Sequence, residues 1–419
     1  VPWVLAFFPD QTSAPQAESL VDAPQSHATI APITSFIAFG LFVSIFFALT
    51  RAATTTSIRS PWELTPAHFF AIIAVTLCVF LFHLIVTRRQ SPLLFIMCGL
   101  ILVGTASILF PLGFGFDGFV HLATIDHILA HNEILPKTPY YIGAYVPMVL
   151  LGKTLGFTAL HHSYAFVSPL LFALALFGAG TFFLRRSSIF GSATLVTLLA
   201  IPFTLFTTTT PYSISMALLL ACVFLLASRV VDPSVKITPI VLLALAMLCI
   251  HPIVGVPLAL CTILVLIISS PQHILLSHFA ASLTLLVSVF ALPAILSLFS
   301  GQSLIQTFSH WSLPPSPWPF IFPRPLDSTL DIFYTIHALL PWGIIITTII
   351  GSTLLAKKIG IRALYFLLFP VSLLIASGFM RSVSVPNVIA YEQDNFSIRL
   401  VELAILFSFP LLTLTTARI

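Results

Sequence analysis

Charged residues are scarce throughout the chain. Asp, Glu, Lys and Arg make up 7% of the 419 residues, whereas soluble domains contain roughly 25%. This shortage of charged residues excludes an ordinary soluble fold. A net charge of +4 is also too small for the basic surface that nucleic-acid binding needs. Hydrophobic residues instead account for 58% of the chain, and the mean hydropathy is +1.09. Together these values predict a polytopic membrane protein without a nucleic-acid partner.

Cysteine is also sparse and lacks the spacing of a metal site. The five cysteines all lie inside apolar runs, and no two of them form a C-x-x-C pair. This pattern excludes a disulfide framework or a zinc ribbon and is typical of small buried hydrophobes.

Long apolar runs occupy most of the sequence. Each approaches the ~20 residues that a helix needs to cross a ~30 Å hydrocarbon core. Because lipid cannot satisfy open backbone groups, the runs predict an all-α transmembrane helical bundle of about twelve spans. The predicted spans are 31–50, 66–87, 91–111, 160–184, 187–207, 211–228, 236–251, 253–270, 276–298, 328–354, 361–379 and 397–416. The piece 142–157 stays open between a re-entrant, an interfacial and a short spanning segment.

Three sections follow from the distribution of these runs. Residues 1–30 are expected to be a truncated apolar end and a polar linker, because VPWVLAFF resembles the tail of an apolar segment. Residues 31–90 hold the N-terminal transmembrane helices, and residues 91–419 form the main transmembrane module.

The positions of Lys and Arg predict the orientation, because short cytoplasmic loops are enriched in these residues. If Arg88 and Arg89 face inside, the other cationic connections fall inside with them: 185–186, 229–236, 357–362 and 418. The segments that then face outside are 116–141, 299–327 and 380–396. A crossing by 142–157 would invert the first three helices and make 116–141 cytoplasmic. We expect a multi-pass protein of a prokaryotic plasma membrane.

The outer segment 116–141, FDGFVHLATIDHILAHNEILPKTPYY, concentrates polar groups that the rest of the chain lacks. It contains two Asp, one Glu and three His. Residues 117–132 have helical spacing, which Asn132 ends before two prolines. At about 100° per residue, one face carries Asp117, His121, Thr124, Ile128 and His131, and Asp126 points the other way. Asp117 and His131 lie about 20 Å apart along the axis, which excludes a single metal bound by both.

Three sequence blocks resemble the type C (GT-C) integral-membrane glycosyltransferases, the superfamily of the oligosaccharyltransferase catalytic subunit and the protein O-mannosyltransferases. The first is the loop at 116–141, whose matching residues are Asp117, Phe119, His121, Asn132 and Pro136. The others are CIHPIVGVPLAL at 249–260 and DNFSIRLVELAILF at 394–407. The chain departs from better-known members because Gly118 follows the loop acid, and no second D-x-D or WWDYG-like block is present.

The resemblance implies sugar transfer from a lipid-linked donor, a polyprenyl-phosphate sugar, to an unidentified acceptor at the outer face, among membrane lipids. Such chemistry needs a base for the incoming hydroxyl and positive charge for the departing phosphate. The implied base is Asp117, assisted by His121, and both are expected to face a cavity between later helices. The implied substrate-binding residues are Lys137, His251, His310, Arg324, Arg381 and Arg399.

Other interpretations of the same residues remain open. Glu392 and Asp394 could join Asp117 in binding Mg²⁺ or Mn²⁺, or could be ordinary loop acids. Asp117 could equally be a helix cap, and Arg399 could simply pair with Glu402 one turn later. Intramembrane Arg399, Glu402 and His251 would also suit a transporter or lipid flippase. A non-catalytic subunit of an envelope complex is the third possibility.

Overall fold

Helices carry almost all of the described chain. The computed structural model describes residues 30–56, 64–65, 68–87, 92–111, 114–184, 204–269, 274–299, 343–353, 360–382 and 390–416. Within these ranges no residue belongs to a strand. The predicted all-α class is therefore confirmed for the described residues.

The helices of the first half, in chain order, are α1 (Ile30–Arg51), α2 (His68–Thr87), α3 (Pro92–Leu109), α4 (Phe116–His131), α5 (Ile142–Leu155), α6 (Phe157–Tyr164) and α7 (Val167–Leu184). Those that follow are α8 (Thr204–Thr207), α9 (Pro211–Val231), α10 (Thr238–Ile250), α11 (Pro252–Ser269), α12 (Ile274–Phe299), α13 (Gly343–Thr353), α14 (Ile361–Ser382) and α15 (Ala390–Thr416). Proline opens α3, α9 and α11, where its missing N–H costs no hydrogen bond.

Six of the described helices are long and apolar enough to cross a membrane, which indicates an integral membrane protein. They are α1, α9, α11 and the stretches Leu276–Ile295, Leu364–Ser382 and Asn395–Thr413. The number rises to seven if α6 and α7 form one bent span. Four shorter apolar helices lie in the predicted spans 66–87, 91–111, 236–251 and 328–354.

Two sequence predictions differ from the structure. The span predicted at 160–184 is broken near Ala165, where α6 and α7 meet at 60°. The connection predicted at 380–396 is shorter, because α15 already begins at Ala390. Glu392 and Asp394 consequently belong to the start of a helix instead of a loop. Apolar periodicity could not locate this start, because the first turns of α15 are polar.

The described residues divide into two compact units. The first unit takes those within Val1–Leu195, Phe203–Cys222 and Val235–Pro252, and the second takes those within Val196–Pro202, Val223–Ser234 and Ile253–Ile419. Helix α9 is shared between them. The predicted section boundaries at residues 30 and 90 stay predictions.

Small residues allow close helix contacts in the first unit. A Cβ at Gly99 would lie 2.9 Å from the Cα of Ala173, and one at Gly143 would lie 2.8 Å from the carbonyl carbon of Cys249. Real Cβ atoms do not approach so closely, so glycine lets α3 pack on α7 and α5 pack on α10. The second contact brings the end of α10 beside the start of α5.

In the second unit, two serines join α14 to α15. Ser377 Oγ donates to the Ser397 carbonyl oxygen at 2.8 Å, and Ser397 Oγ lies 2.9 Å from the Ser377 carbonyl oxygen. Both side chains are buried. Small hydroxyl residues of this kind permit close approach of two membrane helices and hydrogen-bond across them.

Candidate functional site

Helix α4 begins and ends at unusual backbone conformations. Its N-cap is Gly115, with φ +81° and no side-chain cap hydrogen bond, and Asp117 lies inside the first turn. The cap interpretation of Asp117 is therefore wrong. Asn132 adopts a left-handed conformation (φ 60°) and donates its N–H to the Ile128 carbonyl oxygen, so the predicted end of the helix is confirmed.

Asp117 and Lys137 form an ion pair at the start of α4. Lys137 Nζ lies 3.4 Å from Asp117 Oδ1, and the side chains are 29% and 61% exposed respectively. The backbone N–H of Lys137 donates to Thr124 Oγ1 at 3.3 Å, which holds this turn against the helix. The predicted base for the acceptor hydroxyl, Asp117, and the predicted substrate-binding residue Lys137 thus lie together, although they are twenty positions apart in the sequence.

His121 lies directly behind this pair and is buried. Its Nδ1 shares a 2.8 Å hydrogen bond with Tyr145 Oη, which projects from α5. Burial lowers the pKa of His121 to about 4, the Lys137 charge adds to that decrease, and the Asp117 carboxylate opposes it. His121 is therefore a neutral hydrogen-bonding group at physiological pH, which favours a positioning role over proton transfer.

Aromatic rings extend this buried group toward α10. His121 and His251 both lie 5.4 Å from Tyr141, measured between ring centroids. His251 is buried at the break between α10 and α11, and Tyr212 of α9 packs edge-on against it at 5.2 Å. The cluster thus links two predicted site residues through tyrosines that sequence reasoning missed. The i, i+4 spacing of Tyr141 and Tyr145 was the available signal.

A cavity of about 260 Å³ lies on another face of α4. The lining residues that the structure describes include Gly115, Gly118, Phe119 and Leu122 from the α4 region, His161 and His162 from α6, and Thr207–Thr209. Neither Asp117 nor His121 is among them. The cavity expected beside those two residues is therefore not the one that the structure describes.

Asp126 and His161 connect α4 to α6 on this second face. His161 Nε2 lies 2.9 Å and 3.0 Å from the two carboxylate oxygens of Asp126. The predicted helical phase, with Asp126 turned away from His121, agrees with this contact. Sequence reasoning assigned no role to His161, since the contact spans 35 residues.

The remaining predicted residues lie in the second unit or outside the described residues. Arg381, half-buried in the second unit, donates from Nε to Ser397 Oγ at 2.9 Å. Arg399 lies half-buried on α15. His310 and Arg324 lie outside the described residues, and so do the side chains of Glu392 and Asp394.

The described surroundings of Asp117 do not suit a divalent metal. Its carboxylate already has the Lys137 ammonium at 3.4 Å, which repels a second cation. Within the described residues no three His, Cys, Asp or Glu side chains come together as ligands. No chemical step is therefore assigned to Mg²⁺ or Mn²⁺.

Comparison with known proteins gives no family assignment: no protein-family model, curated protein or solved structure matches the chain significantly.

Proposed function

We propose that this chain is a GT-C-like membrane glycosyltransferase that moves a sugar from a polyprenyl-phosphate donor to an acceptor hydroxyl. We further propose that the chain crosses a prokaryotic plasma membrane about twelve times and that its site faces outside. The observation that carries it is the ion pair of Asp117 with Lys137. A carboxylate and an ammonium are held side by side, half-exposed, at one end of an amphipathic helix.

The pair can supply both charges that sugar transfer needs. The acceptor oxygen attacks the anomeric carbon while its proton passes to the Asp117 carboxylate. The bond from that carbon to the donor phosphate breaks, and its electron pair leaves on the phosphate oxygen. The Lys137 ammonium stabilises the departing negative charge. His121 and Tyr145, buried and hydrogen-bonded to each other, support the helix turn that carries Asp117.

Transfer by variant membranes tests this proposal. Asp117→Asn keeps the side-chain size but removes the base, so we expect transfer from a radiolabelled polyprenyl-phosphate sugar to extracted endogenous acceptor to fall at least ~100-fold. Lys137→Gln should reduce transfer, and Lys137→Arg should retain more of it because the charge remains. Expression and thermal stability should change little, since a half-exposed ion pair contributes about 0–1 kcal/mol.

Glu133→Gln is the matched control, because it removes an exposed carboxylate from the turn after α4. It should transfer sugar like the unaltered protein. Equal transfer by Asp117→Asn and the unaltered protein would contradict the catalytic assignment.

Transport of a lipid or solute is the second candidate, favoured by the broken helices. The 60° bend between α6 and α7 and the break at His251 between α10 and α11 resemble the discontinuous helices of transporters. Proteoliposomes that move labelled lipid across the bilayer without sugar transfer would support this alternative.

A further inference from the structure

The cavity on the second face of α4 is bounded by irregular backbone on three sides. Gly115 precedes α4, Ala165 and Phe166 separate α6 from α7, and Thr208 and Thr209 lie between α8 and α9. All of these residues line the cavity. Three breaks between helices therefore meet around one space.

Hydrogen bonds hold these breaks in a defined geometry. Ser107 Oγ donates to the Ala165 carbonyl oxygen at 3.0 Å, and Thr209 Oγ1 donates to the same oxygen at 3.3 Å. Thr209 Oγ1 also accepts the Ser168 N–H at 3.2 Å. The cavity wall is thereby pre-organised, which lowers the cost of ordering it on binding.

The lining combines flat apolar rings with uncharged hydrogen-bonding groups. Phe114, Phe119 and Phe166 supply rings, and Thr208 supplies a hydroxyl, whereas the Thr50 hydroxyl already donates to the Phe47 carbonyl oxygen at 3.0 Å. No Lys, Arg, Asp or Glu lines the cavity among the residues that the structure describes. A phosphate would therefore lack a strong cationic partner, and an acyl chain would leave the polar groups desolvated.

Two histidines in the lining have one ring nitrogen fixed as a donor. His161 Nε2–H donates to the Asp126 carboxylate, and His162 Nδ1–H donates to the Thr158 carbonyl oxygen at 2.7 Å. In each neutral imidazole the other nitrogen is then a hydrogen-bond acceptor. Together with the Thr208 hydroxyl, these histidines give the lining hydrogen-bond acceptors and a donor, and a bound hydroxyl group needs both.

We propose that this cavity binds an uncharged, polyhydroxylated ring of monosaccharide size. The phenyl rings would cover its apolar C–H face, and the histidines and the Thr208 hydroxyl would bond its hydroxyl edge. The volume of about 260 Å³ lies just below the ~300 Å³ of the smallest typical ligand pockets. The ligand class follows from the lining alone, so the proposal does not depend on Asp117 catalysis.

Gly118 offers a variant that blocks the cavity while leaving the helix intact. A Cβ there would have only an ordinary contact, 3.6 Å from the Thr209 carbonyl oxygen. Leucine favours helix over glycine, so Gly118→Leu should fold while its outer atoms fill cavity space. The matched control is Gly40→Leu on α1, where a Cβ meets nothing within 4 Å.

Thr208→Val provides a second, isosteric variant. It removes a half-buried hydroxyl from the lining and keeps the volume. This variant should weaken binding of a hydroxylated ligand several-fold without closing the cavity.

Saturation-transfer NMR on the full chain in lipid nanodiscs tests the proposal. The probes are methyl glycosides of glucose, mannose and galactose, with inorganic phosphate and 1-octanol as comparators. We expect at least one glycoside to bind saturably, Gly118→Leu to reduce that signal at least tenfold, and Gly40→Leu to leave it unchanged. Asp117→Asn should also leave it unchanged, which separates this site from sugar transfer.

Three results would overturn the proposal. They are no saturable glycoside binding, binding that Gly118→Leu does not affect, or competition by phosphate or octanol at equal concentration.

Discussion

At the residue scale, α4 places chemically different groups on its two faces. His121 is 5% exposed and bonded to a tyrosine, whereas His161, which contacts the opposite face, is 36% exposed and bonded to a carboxylate. Burial disfavours the imidazolium ion of His121 and so keeps that ring neutral. Identical side chains therefore have different roles, and residue type alone could not distinguish them.

The buried His121 should make stability depend on pH. Because its pKa falls from 6.5 to about 4 on folding, the unfolded chain binds the extra proton between those values. The contribution of neutral His121 to the free energy of unfolding is therefore fully present above about pH 6.5. It is lost as the pH falls toward 4, by about 3 kcal/mol at most. We expect His121→Gln to have a shallower decrease in its thermal unfolding midpoint between pH 7 and 4.5. Exposed His68→Gln is the control, and an equal slope for His121→Gln and the unaltered protein would contradict the argument.

At the element scale, the sequence predicted α4 well because its signals are local. The spacing of Asp117 and His121 and the stop at Asn132 depend only on neighbouring residues. Tyr145 and His161 were missed because their contacts depend on how α5 and α6 pack against α4, and periodicity carries no information about partners. The break at Ala165 was missed although a local signal was present, because His161–Ser163 before it and Ser168–Pro169 after it interrupt the apolar run.

Ser397 provides a prediction for the pairing of α14 with α15. Its hydroxyl is fully buried and lies within hydrogen-bond distance of Ser377 and of Arg381 Nε. Ser397→Ala should destabilise the protein by about 1–3 kcal/mol, because it leaves buried polar groups unsatisfied. The measurement is unfolding by denaturant in mixed micelles. The control Ser44→Ala on α1 removes only an exposed hydrogen bond to its own helix and should destabilise the protein by under about 0.5 kcal/mol. Similar destabilisation by both variants would contradict the role of Ser397.

At the scale of the whole molecule, the few charges divide between orientation and chemistry. Cations near residues 185–186, 229–236 and 357–362 predict the cytoplasmic side. Asp117 and Lys137 instead neutralise each other in an ion pair of 3.4 Å, so they contribute little to that asymmetry. The outward orientation of the proposed site must therefore be set by the remaining Lys and Arg residues.

Cysteine labelling of intact cells tests that orientation at two exposed positions. In a cysteine-free background, a cysteine replacing Glu133, after α4, should react with a membrane-impermeant maleimide added outside. A cysteine replacing Ser234, in the connection between α9 and α10 that is flanked by Arg229 and Lys236, should react only after the cells are permeabilised. Both residues are exposed, so accessibility within the fold does not limit either reaction. Labelling of position 133 only after permeabilisation would place Asp117 and Lys137 in the cytoplasm and exclude transfer from an outward-facing lipid donor.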